Sequence, residues 1–322
     1  MTLAGARVER RSAGQKALTG DDALQIAFDA LSVDDLRFAQ LDASSSLALQ
    51  LRSVFGVEAE RAVLMLIHAT AVSFSVEQYR RLPVLRPYAI RDGRKRKGSG
   101  GSELWGVPDE SGYFSDDNSL LKALPKGMDI VSDDPRLVGR RVTTGWTCCH
   151  AWRSLSTGAQ ASKRGLLNSF VPVVTWLPTS LAHFTDREGS PAQGLLKEMA
   201  MSFVCAVPAP LIPYVDRAWS LLVPEGVEQS PVSPRHRFMF SEKFVSRRVQ
   251  SIREVAQLLE DPPRHQNPRL LNSRYRQGVL ELSGERRHAL AAALTGYADA
   301  VVAAPSSAVR EGKSPPFPGS ES

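Results

Sequence analysis

The chain has 322 residues, of which 43% are hydrophobic and 23% charged, a composition typical of a globular protein with a sizeable core. Its formal charge of +6 permits a phosphate-rich partner without requiring one. The three cysteines, Cys148, Cys149 and Cys205, lack C-x-x-C spacing, which argues against a disulfide framework and a four-thiolate zinc site.

The first residues and the apolar segments of the chain indicate where in the cell the protein is expected to be. Residues 1–20 are rich in charged side chains and contain no apolar segment, unlike a secretory signal. The longest apolar run, residues 62–72, is interrupted by His68 and is far shorter than the roughly 20 residues that span a bilayer. We therefore expect a cytoplasmic protein without a membrane partner.

The first eighty residues are predicted to be a flexible leader, residues 1–20, followed by a helical unit, residues 21–80. Asp21 and Asp22 offer an N-cap to a first helix. Apolar residues at helical spacing predict two more helices, over residues 47–55 and 62–70.

Residues 81–190 are predicted to be a mixed central region. Prolines begin this region. Five basic residues follow, Arg91, Arg94, Lys95, Arg96 and Lys97, and glycines and serines come after them. This pattern indicates an exposed loop that could bind a phosphate backbone. Residues 141–144 and 170–176 are typical of short strands. The cluster 116–118, Asp-Asp-Asn, indicates a helix N-cap, with a cation site as the alternative.

Residues 191–304 are predicted to be helical and residues 305–322 to be a disordered tail. A basic stretch that contains Arg247 and Arg248 alternates with phenylalanines, which is compatible with a nucleic-acid-binding face or with a core. The predicted fold is α+β and mainly helical, with N- and C-terminal helices around a small irregular β-containing centre in one cooperative body.

Three polar residues within the central region have complementary chemistry: His150, Asn168 and His183. A phosphodiester hydrolase needs a neutral imidazole to deprotonate water, an amide and a ligand for a divalent metal. A packed histidine with a satisfied hydrogen bond is the alternative for His150. The motifs G-x-S-x-G, H-E-x-x-H and G-x-G-x-x-G are absent.

Part of the central region resembles the HNH, or ββα-metal, endonuclease superfamily. The resemblance lies in the segments Cys-Cys-His150-Ala-Trp and Val173-Val-Thr-Trp-Leu-Pro, followed by His183. The resemblance implies a ββα-like centre, a metal-dependent hydrolysis of DNA phosphodiester bonds and a divalent ion, Mg²⁺ or Mn²⁺ with Zn²⁺ as the alternative. It implies His150 as general base and His183 as a metal ligand. In the mechanism that we expect, Asn168 orients the water and Asp186 assists His183 in binding the metal, with a structural ion pair as the alternative for Asp186.

Two positions depart from the superfamily pattern. Cys149 stands where Asp or His usually binds the metal, and Val173 replaces the asparagine that opens the second strand. These departures favour the alternative function, a non-catalytic nucleic-acid-binding or regulatory protein that retains the nuclease scaffold. In either case we expect the DNA backbone to be contacted by Arg91, residues 94–97, Arg247 and Arg248. A third alternative is a structural or protein-interaction protein.

Overall fold

A computed structural model describes residues 16–30, 56–92, 105–223, 231–262 and 272–305. Its helices are α1 (Gly20–Ala30), α2 (Gly56–Thr70), α3 (Val76–Arg81), α4 (Ser119–Lys122), α5 (Gly165–Asn168), α6 (Thr179–Ala182), α7 (Pro191–Met201), α8 (Ile212–Leu222), α9 (Glu242–Glu260), α10 (Ser273–Glu281) and α11 (Gly284–Ala303). Its strands are β1 (Ala17–Leu18), β2 (Val72–Phe74), β3 (Ala89–Arg91), β4 (Phe114–Asp116), β5 (Ile130–Ser132), β6 (Arg141–Val142), β7 (Trp146–His150), β8 (Val174–Pro178) and β9 (His236–Phe238). The fold is α+β, as predicted.

The N-terminal helices begin earlier than the sequence pattern indicates. Thr19, not Asp21 or Asp22, caps α1: its hydroxyl accepts from the N–H of Asp22 at 3.0 Å, and the Asp22 carboxylate accepts from the N–H of Thr19 at 3.0 Å. This reciprocal pair satisfies two N–H groups at the helix start. The predicted third helix is α2, and the helix predicted over residues 47–55 lies outside the described residues.

The central sheet has five strands in the order β5-β9-β2-β8-β7. β2 and β9 are parallel, whereas the other neighbouring strands are antiparallel. β2 lies in the predicted helical unit 21–80 and β9 in the predicted helical region 191–304. The sheet therefore includes strands from all three predicted regions and extends beyond residues 81–190.

Aromatic side chains hold the middle of this sheet together. Phe74 of β2, Trp176 of β8 and Phe238 of β9 are buried, and their ring centroids lie 5.3 to 5.4 Å apart. Phe244 of α9 packs on Phe74 at 5.8 Å. Because Phe238 is fully buried, it belongs to the core, and the interpretation in which it stacks on bases is wrong.

The C-terminal helix α11 packs against α9. The predicted apolar face of α11, which comprises Leu290, Leu294, Tyr297 and Val301, is buried as expected. None of the helices in the described ranges has an apolar stretch long enough to span a bilayer.

A second pair of strands positions the candidate site. β3 and β4 are parallel, and their register places Arg91 opposite Asp116. Just beyond β4, the side-chain amide of Asn118 donates to the carbonyl of Cys148 on β7 at 3.1 Å. The end of β3, the start of α4 and the strand β7 therefore meet at one place.

Candidate active-site groove

Two adjoining cavities, together called the groove here, lie where β3, α4, β7 and α6 meet. The first cavity has a volume of about 690 Å³ and is lined by Arg91, Asp117, Asn118, Ser119, Lys122, Thr147, Cys148, Cys149, His150, Arg153, Thr179, Ala182, His183, Thr185 and Asp186. The second has a volume of about 550 Å³ and is lined by Arg91, Asp92, His150, Trp152, Arg153, Ser154, Gln160, Ser162, Lys163 and Glu188. Polar and basic groups dominate both.

His150 lies at the end of β7, paired in register with Val174 at the start of β8. Its Nε2 is 2.9 Å from the backbone carbonyl oxygen of Asn168. A carbonyl can only accept, so Nε2 carries the proton and Nδ1 carries the lone pair. Nδ1 is buried and has no hydrogen-bond partner in the described part of the chain, although His150 lines both cavities.

Burial lowers the pKa of His150 to about 4; hydrogen bonding to the backbone and the side chain of Asn168 opposes this shift, and the positive charge of Arg91 adds to it. The imidazole is therefore neutral at pH 7. A neutral imidazole has the protonation state that a general base requires.

Asn168, predicted to orient water, lies elsewhere. Its side chain is buried, and the amide nitrogen donates to the carbonyl of Ala89 at 3.2 Å. The residue lines neither cavity. Its backbone carbonyl acts on the site by fixing the tautomer and orientation of His150.

The two predicted metal ligands, His183 and Asp186, lie in the turn after α6 and line the first cavity together with His150. The His183 Nδ1 and an Asp186 carboxylate oxygen are 3.5 Å apart, and the side chains are 78% and 69% exposed. Within the described ranges no group of three or more His, Cys, Asp or Glu side chains is placed to bind a metal. Mg²⁺, however, is commonly bound through one or two carboxylates, with water and substrate phosphates completing its shell, and Asp186 offers one carboxylate.

The two cysteines beside His150 are not suited to bind this ion. Both are buried, and burial raises the pKa of the Cys149 thiol to about 12, with a hydrogen bond to Thr185 opposing the shift. Cys149 is therefore a neutral thiol at pH 7, and metals bind the thiolate. The structure supports the interpretation of Cys148 and Cys149 as small core residues.

The acidic cluster at residues 116–118 caps α4, as predicted. Asp116 accepts from the N–H of Leu120 at 3.0 Å and from the hydroxyl of Ser119 at 2.8 Å, and Asp117 accepts from the N–H of Ser119 at 3.1 Å. Asn118 has a φ of +81°, in the left-handed region that asparagine tolerates. These bonds fix the wall of the first cavity.

The predicted nucleic-acid-binding residues are distributed unevenly. Arg91 lines both cavities, whereas residues 94–97 lie outside the described residues. Arg247 is exposed on α9, and the guanidinium of Arg248 lies 5.8 Å from the Phe244 ring centroid. Neither Arg247 nor Arg248 lines the groove.

Sequence reasoning missed three basic groove residues: Lys122, Arg153 and Lys163. Arg153 follows the candidate base by three positions, and this proximity was a usable signal. Lys122 and Lys163 are brought to the groove by the packing of α4 and of residues 161–163, which leaves no local pattern in the sequence.

No known protein family model, curated protein or solved structure matches this chain. Its function is therefore inferred from the groove.

Proposed function

We propose that this protein is an HNH-like, metal-dependent endonuclease that hydrolyses DNA phosphodiester bonds. The observation that carries the proposal is His150: a neutral imidazole, oriented through Nε2, on a residue that lines the same cavity as His183 and Asp186. The antiparallel pair β7–β8 followed directly by α6 has the order of elements that the resemblance implies, and supports the proposal.

In the proposed reaction, His150 Nδ1 takes a proton from water as the water oxygen attacks phosphorus. The bond from phosphorus to the leaving oxygen then breaks, and that oxygen retains the electron pair. His183 and Asp186 would hold a divalent ion, which would acidify the water and neutralise the leaving oxygen. A base with a pKa of about 4 depends on such acidification, since it accepts protons weakly.

The experiment compares wild type with His150→Gln on supercoiled plasmid and single-stranded circular DNA, in Mg²⁺, Mn²⁺, Zn²⁺ or EDTA. We expect metal-dependent strand cleavage that falls by a factor of about 100 or more in the variant. The matched control is His288→Gln, an exposed position on α11 outside the groove. Absence of metal-dependent cleavage by wild type, or equal cleavage by wild type and His150→Gln, would contradict the proposal.

One observation favours the second function, a non-catalytic nucleic-acid-binding or regulatory protein. Cys149 occupies a position that binds metal in the resembled superfamily, yet its buried thiol is neutral at pH 7. This leaves His183 and Asp186 as the metal ligands of the groove. Salt-sensitive DNA binding without cleavage in any of the metals would support this second function.

A further inference from the structure

The two cavities of the groove meet at three residues. Arg91, His150 and Arg153 line both cavities, whereas every other lining residue belongs to one cavity. His150 and the two arginines therefore form the junction between the cavities. A ligand long enough to occupy both cavities has to pass these three side chains.

The acidic groups of the second cavity already have partners. Asp92 pairs with Lys163 at 3.3 Å. Glu188 accepts from the N–H of Ser154 at 3.2 Å and from the ammonium of Lys197 at 3.4 Å. These carboxylates are therefore engaged away from the junction.

Among the described residues, the two arginines at the junction have no such partner. Arg91 is opposite Asp116 in the β3–β4 register, but the Asp116 carboxylate accepts hydrogen bonds from Ser119 and Leu120. Within the described ranges, neither Arg91 nor Arg153 forms an ion pair. Both side chains are exposed, so the junction presents two guanidinium groups to a ligand. A guanidinium is well matched to the geometry of phosphate oxygens.

We propose that the groove binds one single strand of nucleic acid across both cavities, with Arg91 and Arg153 holding the same phosphate group beside His150. This inference rests on the proposed function and specifies its substrate. The cavities lie within the size range, about 300 to 1,000 Å³, of sites for individual small ligands, so each takes about one nucleotide. The bases of a duplex are paired with the opposite strand and enter such cavities only when the strands separate.

The test measures binding of a short fluorescent oligothymidine by anisotropy, in EDTA and over a range of salt concentrations. Arg91→Gln, Arg153→Gln and the double variant are compared with wild type. Each phosphate contact with a single strand contributes about 0.7 to the slope of log affinity against log salt. Because both arginines hold one phosphate, each single variant leaves that phosphate paired with the other arginine. We therefore expect each single variant to reduce the slope by less than about 0.7 and the double variant to reduce it by about 0.7.

The matched control is Arg253→Gln, which removes the same charge from an exposed ion pair between α9 and α11 and should leave the slope unchanged. A double variant that reduces the slope by about 1.4 would show two separate phosphates and overturn the shared contact. An unchanged slope in the double variant would overturn the groove as the binding site. Thermal unfolding of each variant verifies that the fold is intact.

Strand preference is tested with a blunt duplex against a single strand of the same sequence. We expect the single strand to bind at least about tenfold more tightly than the duplex. Tighter binding of the duplex would overturn the inference that the ligand of the groove is a single strand. The result is independent of catalysis, because EDTA prevents metal-dependent cleavage. If binding depends on the arginines but no metal supports cleavage, this inference stands and the nuclease proposal fails. If the protein cleaves DNA but binding does not depend on the arginines, the nuclease proposal stands and this inference fails.

Discussion

At the residue scale, the environment of His150 couples its protonation to folding. Burial lowers the pKa of the imidazole from 6.5 to about 4. As the pH falls, the unfolded chain takes up this proton near pH 6.5, whereas the folded protein takes it up only near pH 4. The unfolded state binds more protons in this window, so the stabilisation present above pH 6.5 is lost as the pH falls through it.

We expect His150→Gln to weaken this pH dependence, since glutamine retains an N–H donor for the Asn168 carbonyl but does not titrate. A pKa difference of this size corresponds to about 3 kcal/mol of the free energy of unfolding. Urea unfolding at several pH values between about 4 and 7 measures it. Burial also lowers the pKa of His236, which leaves a residual dependence in the variant.

The exposed substitution His288→Gln is the control for this measurement and should retain the wild-type dependence. An identical pH dependence in wild type and His150→Gln would contradict the burial of a neutral His150.

Residue chemistry in the sequence predicted part of the groove. The side chains of His150 and His183 suit a base and a metal ligand, and both residues line one cavity together with Asp186. Asn168 acts on His150 through its backbone carbonyl, a group that every residue has. Such a contact has no signature in residue type, so its role could not be predicted from the sequence.

At the element scale, the short helix α4 depends on one buried carboxylate. Asp116 is 1% exposed and accepts from the Ser119 hydroxyl, the Leu120 N–H and the indole N–H of Trp105. A helix of four residues has little stability from its own backbone bonds. Its position in the wall of the first cavity therefore depends on this cap.

We expect Asp116→Ala to lower the free energy of unfolding by about 2 kcal/mol, because it removes a cap and leaves buried donors unpaired. Urea unfolding at pH 7 measures the loss. Asp133→Ala, at an exposed position between β5 and β6, should change stability by less than about 0.5 kcal/mol. Equal effects of the two substitutions would show that α4 is held by other contacts.

The long helices were the most predictable elements. Apolar spacing identified α1, α2 and α11, and the predicted face of α11 is buried along its length. β2 and β9 were not predicted, since three-residue strands are too short to show alternation. The strand predicted over residues 170–176 begins only at Val174, because residues 171–173 form a 3-10 turn around Pro172.

At the scale of the whole molecule, a single sheet connects the three predicted regions. β2, β8 and β9 are neighbours in the sheet although more than 160 residues separate β2 from β9. Strand pairing at this separation depends on tertiary packing and leaves no local trace in the sequence. The described regions are therefore expected to unfold together.

Tyr297 links α11 to the chain segment before β3. Its hydroxyl accepts from the N–H of Val84 at 2.7 Å and donates to the carbonyl of Val84 at 2.9 Å, and the side chain is buried. Tyr297→Phe removes the hydroxyl and leaves both backbone groups of Val84 without this partner. We expect the free energy of unfolding to fall by about 2 kcal/mol.

The cooperative nature of the fold is tested by following this variant with two probes. Tryptophan fluorescence reports on five tryptophans, of which Trp146 and Trp176 lie in the sheet and none lies on α11, and far-ultraviolet circular dichroism reports mainly on the helices. If the sheet and α11 form one cooperative body, Tyr297→Phe shifts both urea transitions equally. Tyr214→Phe is the control, because Tyr214 packs on Tyr297 with ring centroids 5.0 Å apart and its hydroxyl has no hydrogen bond in the described ranges. A shift confined to the helical signal would instead show that α11 unfolds separately from the sheet that carries His150.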